Sequence, residues 1–142
     1  MEDNKNSLLL VDDSNANLKI LAYILGEEYT IYSATSGISA IEKAKEYKPD
    51  LILLDILMPD MNGYQTLSKI KTIEEIQDTP VIFITGLDSE EEEEKGLSLG
   101  AVDYITKPFR PLIVNLRVRC QIQIINQMRT IERLTSQLAV AG

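Results

Sequence analysis

Short apolar runs alternate along the chain with longer stretches whose apolar residues recur every three or four positions. Two runs are continuous, SLLLV at 7–11 and the aliphatic part of DLILLD at 50–55. They predict central strands covered on both faces, as parallel sheets require. YTIYSA at 29–34, PVIFIT at 80–85 and AVDYIT at 101–106 predict three more strands. Helices fit between them. One is capped by Ser14 or Asn15, carries Leu18, Leu21, Ala22 and Leu25 on one face, and stops at Gly26. A second is capped by Ser36 and buries Ala40, Ile41 and Ala44, with Pro49 beyond its end. A third follows Gly63 with Leu67 and Ile70 inward, and a fourth starts near Ser89. Five such units predict an α/β fold, a doubly wound parallel sheet with ligands at the carboxyl ends of its strands.

The last helix is unusual. It begins at Pro111, a favoured first-turn residue, and meets no breaker before the end. Helical to about residue 138, it would span roughly 40 Å, more than one sheet face covers. Leu112, Leu116 and Cys120 are expected to dock on the body. Beyond residue 121, Ile124, Met128, Ile131 and Leu138 recur at coiled-coil spacing, with Thr135 interrupting. This divides the chain into a compact unit at 1–122 and a helical extension at 123–142.

Charge sharpens the division. Residues 1–109 carry nine lysines against 21 acidic residues, net −12, whereas residues 110–142 carry five arginines and one glutamate, net +4. The acidic body would repel nucleic acid. The EEEEE run at 90–94 reads as a solvated helix start, where negative charge meets the positive end of the helix dipole. A single cysteine excludes an internal disulfide framework and fits a reducing cytoplasm. With no histidine and one cysteine, imidazole and thiolate metal sites are excluded, while oxygen ligation of a hard cation remains open. Nothing at the start reads as a secretory signal, and no apolar run is long enough for a membrane span.

The predicted strand ends carry chemistry. The first ends at Asp12 and Asp13, the third at Asp55, the fourth at Thr85 before Gly86, and the fifth at Lys107 before Pro108. Each alone has an ordinary explanation: a capping turn, a solvated strand end, a common strand-end threonine. In a parallel sheet all of them reach one edge. Carboxylates about 4 Å apart repel by roughly 1–4 kcal/mol per pair, depending on the dielectric. Lys107 and a divalent cation would offset this, and an all-oxygen site selects Mg2+ or Mn2+. A carboxylate beside a metal, a lysine and a hydroxyl can attack phosphorus and form an acyl phosphate.

LLLVDD, LILLDILMPDMNG, VIFITG and GAVDYITKPF together closely resemble the receiver domain of bacterial two-component response regulators. The resemblance covers about residues 7–122. It implies a flavodoxin-like sheet of order 2-1-3-4-5 and phosphoryl transfer from a histidine kinase to Asp55. It implies that Asp13, Asp55 and the Leu57 backbone carbonyl bind Mg2+, with Asp12 helping through water. Thr85, Gly86 and Lys107 would hold the phosphoryl group, Thr85 and Tyr104 would switch position, and the Lys107–Pro108 bond would be cis. Leu57 and Leu87 flank the site in this family. Both are aliphatic and offer no group to orient water, which implies a phosphoryl group that lasts minutes or longer. The last helix is similar to receiver ends that precede a cyclic-dinucleotide enzyme or a kinase. The chain is then a fragment of a longer protein or a stand-alone regulator, acting on a downstream effector. Its last helix is expected to pair two copies, the other readings being a frayed terminus or a basic helix on nucleic acid. A flavin carrier is disfavoured because VDDSN places two negative charges where a phosphate would sit. A phosphatase of the haloacid dehalogenase type is disfavoured because it needs an aspartate where Leu57 stands.

Overall fold

The computed structural model describes residues 5–86 and 90–141, with no side-chain description for 90–93. Elements run β1 (Ser7–Val11), α1 (Asn15–Leu25), β2 (Thr30–Ala34), α2 (Gly37–Tyr47), β3 (Leu51–Asp55), α3 (Gly63–Ile70), β4 (Val81–Thr85), α4 (Glu90–Ser98), β5 (Asp103–Thr106) and α5 (Pro111–Ala141). All strands are parallel, in the order β2-β1-β3-β4-β5. The chain order reverses between β1 and β3, the switch point where doubly wound sheets bind ligands.

β3 and β4 are buried at every position, which explains their unbroken apolar runs. On one face, Leu8, Leu10, Leu53 and Ile84 pack under α1 and α5. On the other, Leu9, Val11, Leu54 and Phe83 pack under α2 and α3. Ser14 caps α1 and Ser36 caps α2. Asn62 and Gln65 form a reciprocal capping box that starts α3. The expected fourth-helix start at Ser89 lies outside the described residues.

The docking face of α5 corrects the sequence reading. Leu112 is 70% exposed, Leu116 50%, and Cys120 is exposed. Val114, Val118 and Ile122 are buried instead, one turn apart along the helix. Both sets have the same spacing, so periodicity alone could not rank them. These β-branched side chains join the core formed with Ile82, Ile84 and Ile105, and the longer leucines fall outside.

Beyond Ile125 the helix leaves the core. Asn126 exchanges two side-chain hydrogen bonds with Asn6, at 3.1 and 3.2 Å. Arg129 pairs with Asp50 at 2.6 Å. A cleft of about 610 Å3, lined in part by Glu74, Asp78 and Glu132, separates this stretch from the body. Ile125 still packs against the core, and polar ties add to it here.

Candidate functional site

Parallel pairing aligns the strand ends. Val11 is level with Leu54 and Asp55 with Ile84, so Asp12 and Asp55 emerge at the same height from adjacent strands. Thr85 is level with Thr106, and the Lys107 backbone N–H donates to the Thr85 carbonyl at 2.8 Å. Lys107 therefore projects from the end of β5, two strands from β3 and three from β1, back across the edge. Its ammonium lies 3.3 Å from Asp12 Oδ2 and 3.3 Å from Asp55 Oδ1.

The carboxylates differ in their surroundings. Asp12 is fully buried and held: its Oδ1 accepts the Ser14 N–H at 2.9 Å, and its Oδ2 accepts the Asn17 amide at 3.2 Å. Asp13 is exposed. Asp55 is 2% exposed; Lys107 engages its Oδ1, while its Oδ2 is buried and makes no hydrogen bond among the described residues. Burial, then the Asp12 charge, raise the Asp55 pKa to about 6, against the lowering pull of Lys107. For Lys107, burial opposes the charged form, but Asp55, Asp12 and the hydrogen bonds to them outweigh it, and its pKa is raised. One oxygen each from Asp12, Asp13 and Asp55 lies within 4.8 Å of the others. A buried carboxylate oxygen without a partner, inside an all-oxygen acidic cluster, fits a hard divalent cation such as Mg2+.

Thr85 is buried and Gly86 is exposed beside it. Among the described residues, a Cβ at Gly86 would meet nothing within 4 Å. Lys107–Pro108 is cis, as expected. Tyr104 is buried beneath α4, and a Cβ on Gly96 would sit 2.8 Å from its hydroxyl, so the glycine lets helix and ring approach. The Leu57 side chain is 60% exposed at the rim, and Leu87 lies outside the described residues.

Two supporting residues escaped the sequence reading. Asn17 ties Asp12 from the first turn of α1, and an Asx residue shortly after the aspartate pair was the available signal. From the sequence, Gly63 is only the residue that precedes the third helix. A Cβ there would lie 2.5 Å from the Asp55 carbonyl oxygen and 2.7 Å from Ile56 Cα, and its N–H donates to the Ile56 carbonyl at 2.8 Å. It clamps the start of α3 against the end of β3, a contact no local pattern reveals.

Residues 8–118 match the family model of the response regulator receiver domain. The chain belongs to this family. A protein of Vibrio cholerae named as a probable cyclic di-GMP phosphodiesterase is 41% identical over 124 residues, covering 87% of this chain and 28% of that protein. Response regulator PleD of Caulobacter vibrioides is 38% identical over 113 residues, covering 79% of this chain and 25% of PleD. The chain thus spans about a quarter of the length of these curated relatives. The CheY-like receiver domain protein of Methanospirillum hungatei superposes with a TM-score of 0.80 at 28% identity, covering 88% of this chain and 99% of the other. This receiver domain is a module of two-component signalling and a regulatory phosphoacceptor. Among its described residues, no helix is long and apolar enough to cross a membrane.

Proposed function

We propose that this receiver acts in the cytoplasm and accepts a phosphoryl group on Asp55 from a phosphohistidine of a histidine kinase. The carrying observation is Asp55 Oδ2, a buried oxygen with no hydrogen bond among the described residues, on a carboxylate that belongs to the acidic cluster. Oδ2 attacks phosphorus, the P–N bond breaks, and the imidazole leaves with its electron pair. Asp13, Asp55 and the Leu57 carbonyl would hold Mg2+ (or Mn2+), with Asp12 acting through water because both its oxygens are already engaged. When bound, the cation offsets the carboxylate charge and polarises the phosphoryl oxygens. Lys107, anchored by Asp12, neutralises the incoming phosphoryl group. The Thr85 hydroxyl and the backbone at Gly86 receive its remaining oxygens. As Thr85 is drawn toward Asp55, the contact of Tyr104 with α4 changes, and the surface of α4, β5 and α5 is read by an effector.

The likeness to a probable cyclic di-GMP phosphodiesterase supports a longer protein in which residues 1–122 are the receiver and 123–142 lead to a cyclic-dinucleotide output domain. The outer part of α5 would pair two copies.

Acetyl phosphate with Mg2+ should add one phosphoryl group to the chain, read by intact mass, and Asp55→Asn should add none. Uptake by that variant, or steady hydrolysis of a phosphate monoester by the parent, contradicts the proposal. The exposed, aliphatic Leu57 offers water no hydrogen-bonding partner. The adduct should therefore decay over minutes or longer at neutral pH, and loss within seconds would show that another group activates water.

A further inference from the structure

The structure sets the phase of α5, and with it the direction of every side chain on the extension. At ~100° per residue, with Val118 defining inward, Ile122, Ile125 and Arg129 fall within roughly 40° of the body. Leu116, Cys120, Ile124, Gln127, Ile131, Leu134 and Leu138 fall within roughly 60° of the opposite pole. Their spacing from Ile124 onward alternates three and four, the 3.5-residue period that a second helix requires. Leu116, Ile124, Ile131, Leu134 and Leu138 are between 43% and 74% exposed. The stripe therefore passes through Gln127 and Leu134; Met128, expected on it from the sequence, lines the cleft toward the body, and Thr135 lies at its side.

Charge says what covers it. The basic excess of the helix is turned toward the acidic body: Arg117 pairs with Asp103, Arg119 with Glu28 and Arg129 with Asp50. By the same phase, Glu132 and Arg133 lie on the body side, so no charged residue enters the outer sector between Leu116 and Ala141. A positively charged helix would ordinarily repel its copy. This one presents its copy with an uncharged, largely apolar seam, in which Gln123 and Gln127 are polar. The seam runs about 33 Å, three heptads, along a face that its own body cannot reach.

We propose that two copies of this chain pair through this outer face as a parallel, in-register coiled coil, with the two bodies on opposite flanks. The inference rests on the reading of α5 as a pairing helix and is independent of the phosphoryl chemistry. Gln127 sets the orientation. In register it meets the partner's Gln127, amide to amide. An antiparallel pair that keeps the heptads matched places it against the partner's Ile131, burying the amide without a partner. In the parallel pair the two acidic bodies share one end, and their repulsion falls as salt shortens the screening length from about 8 Å. Pairing should therefore strengthen with salt.

The unphosphorylated chain is measured by light scattering and sedimentation at tens of micromolar, in low and high salt. A twofold mass that grows with salt is expected. Ile131→Glu, at a site 61% exposed, should give a monomer that keeps its helical signal and its uptake from acetyl phosphate. A short bismaleimide should link the two Cys120 thiols of the parent dimer and leave Cys120→Ser unlinked. In the antiparallel pair those thiols are roughly 27 Å apart, out of reach. A monomer in high salt, a dimer indifferent to Ile131→Glu, or a dimer without the Cys120 link would each overturn the proposal. Failure of acetyl phosphate labelling in the parent chain would count against the phosphoacceptor reading and leave the pairing result standing.

Discussion

Asp12, Asp55 and Lys107 come from three strands and as many as 95 positions apart in the chain, yet meet within 3.3 Å. Leu116 and Val118 are two positions apart on one helix and meet opposite fates, one 50% exposed and the other fully buried. The contrast teaches where distance along the chain matters. A parallel sheet brings every strand's carboxyl end to the same edge, so chemistry written at strand ends converges whatever lies between. A helix distributes its side chains around a full circle, and which sector turns inward depends on the shape of what it packs against.

The largest effect is expected at the sheet edge. Gly63→Ala drives a Cβ to 2.5 Å from the Asp55 carbonyl oxygen. Backbone on both sides must move, at a cost on the order of 3 kcal/mol, and Asp55 moves with it. Denaturant unfolding should register the loss, and acetyl phosphate uptake should fall with it; wild-type values for both would mean that α3 is free to shift.

The second effect concerns the same edge without metal. An ordinary aspartate titrates near 3.8, whereas Asp55 in the folded state titrates near 6. Between these values the folded state keeps a proton that the unfolded chain has released, so stability falls as pH rises from about 4 to 6, then levels off. The amount is on the order of 2–3 kcal/mol. In chelator, Asp55→Asn should remove that decline and be the more stable protein above pH 6, read from melting against pH. Saturating Mg2+ should restore stability to the parent and not to the variant. Equal slopes for parent and variant would rule out Asp55 as the source.

The third effect tests the helix. Val118→Ala removes fully buried surface and should cost about 2 kcal/mol. Leu116→Ala, measured dilute so that pairing does not contribute, should stay within about 0.5 kcal/mol. The reverse order would mean that α5 is rotated relative to the sheet.

Much of the site was legible because its letters sit where strands stop. Asp12, Asp13, Asp55, Thr85 and Lys107 each follow an apolar run, and the runs were strong enough to place them. Gly63 was not legible as part of the site, since its role depends on the path of the β3 backbone past α3. Nor was the unequal burial of Asp12 and Asp13. The sequence presents Asp12 and Asp13 as a pair, but one is buried and tied by Ser14, Asn17 and Lys107 while the other is exposed.

By itself, then, the amino-acid order determined the number and kind of elements, their parallel arrangement and the residues at the reactive edge, because apolar periodicity and strand ends are local properties of the chain. Only the tertiary structure decided that Val114, Val118 and Ile122, and not Leu112, Leu116 and Cys120, face the sheet. Both sets recur every four residues. The choice between them is made by the sheet face that receives the helix, and that face exists only once the strands are assembled.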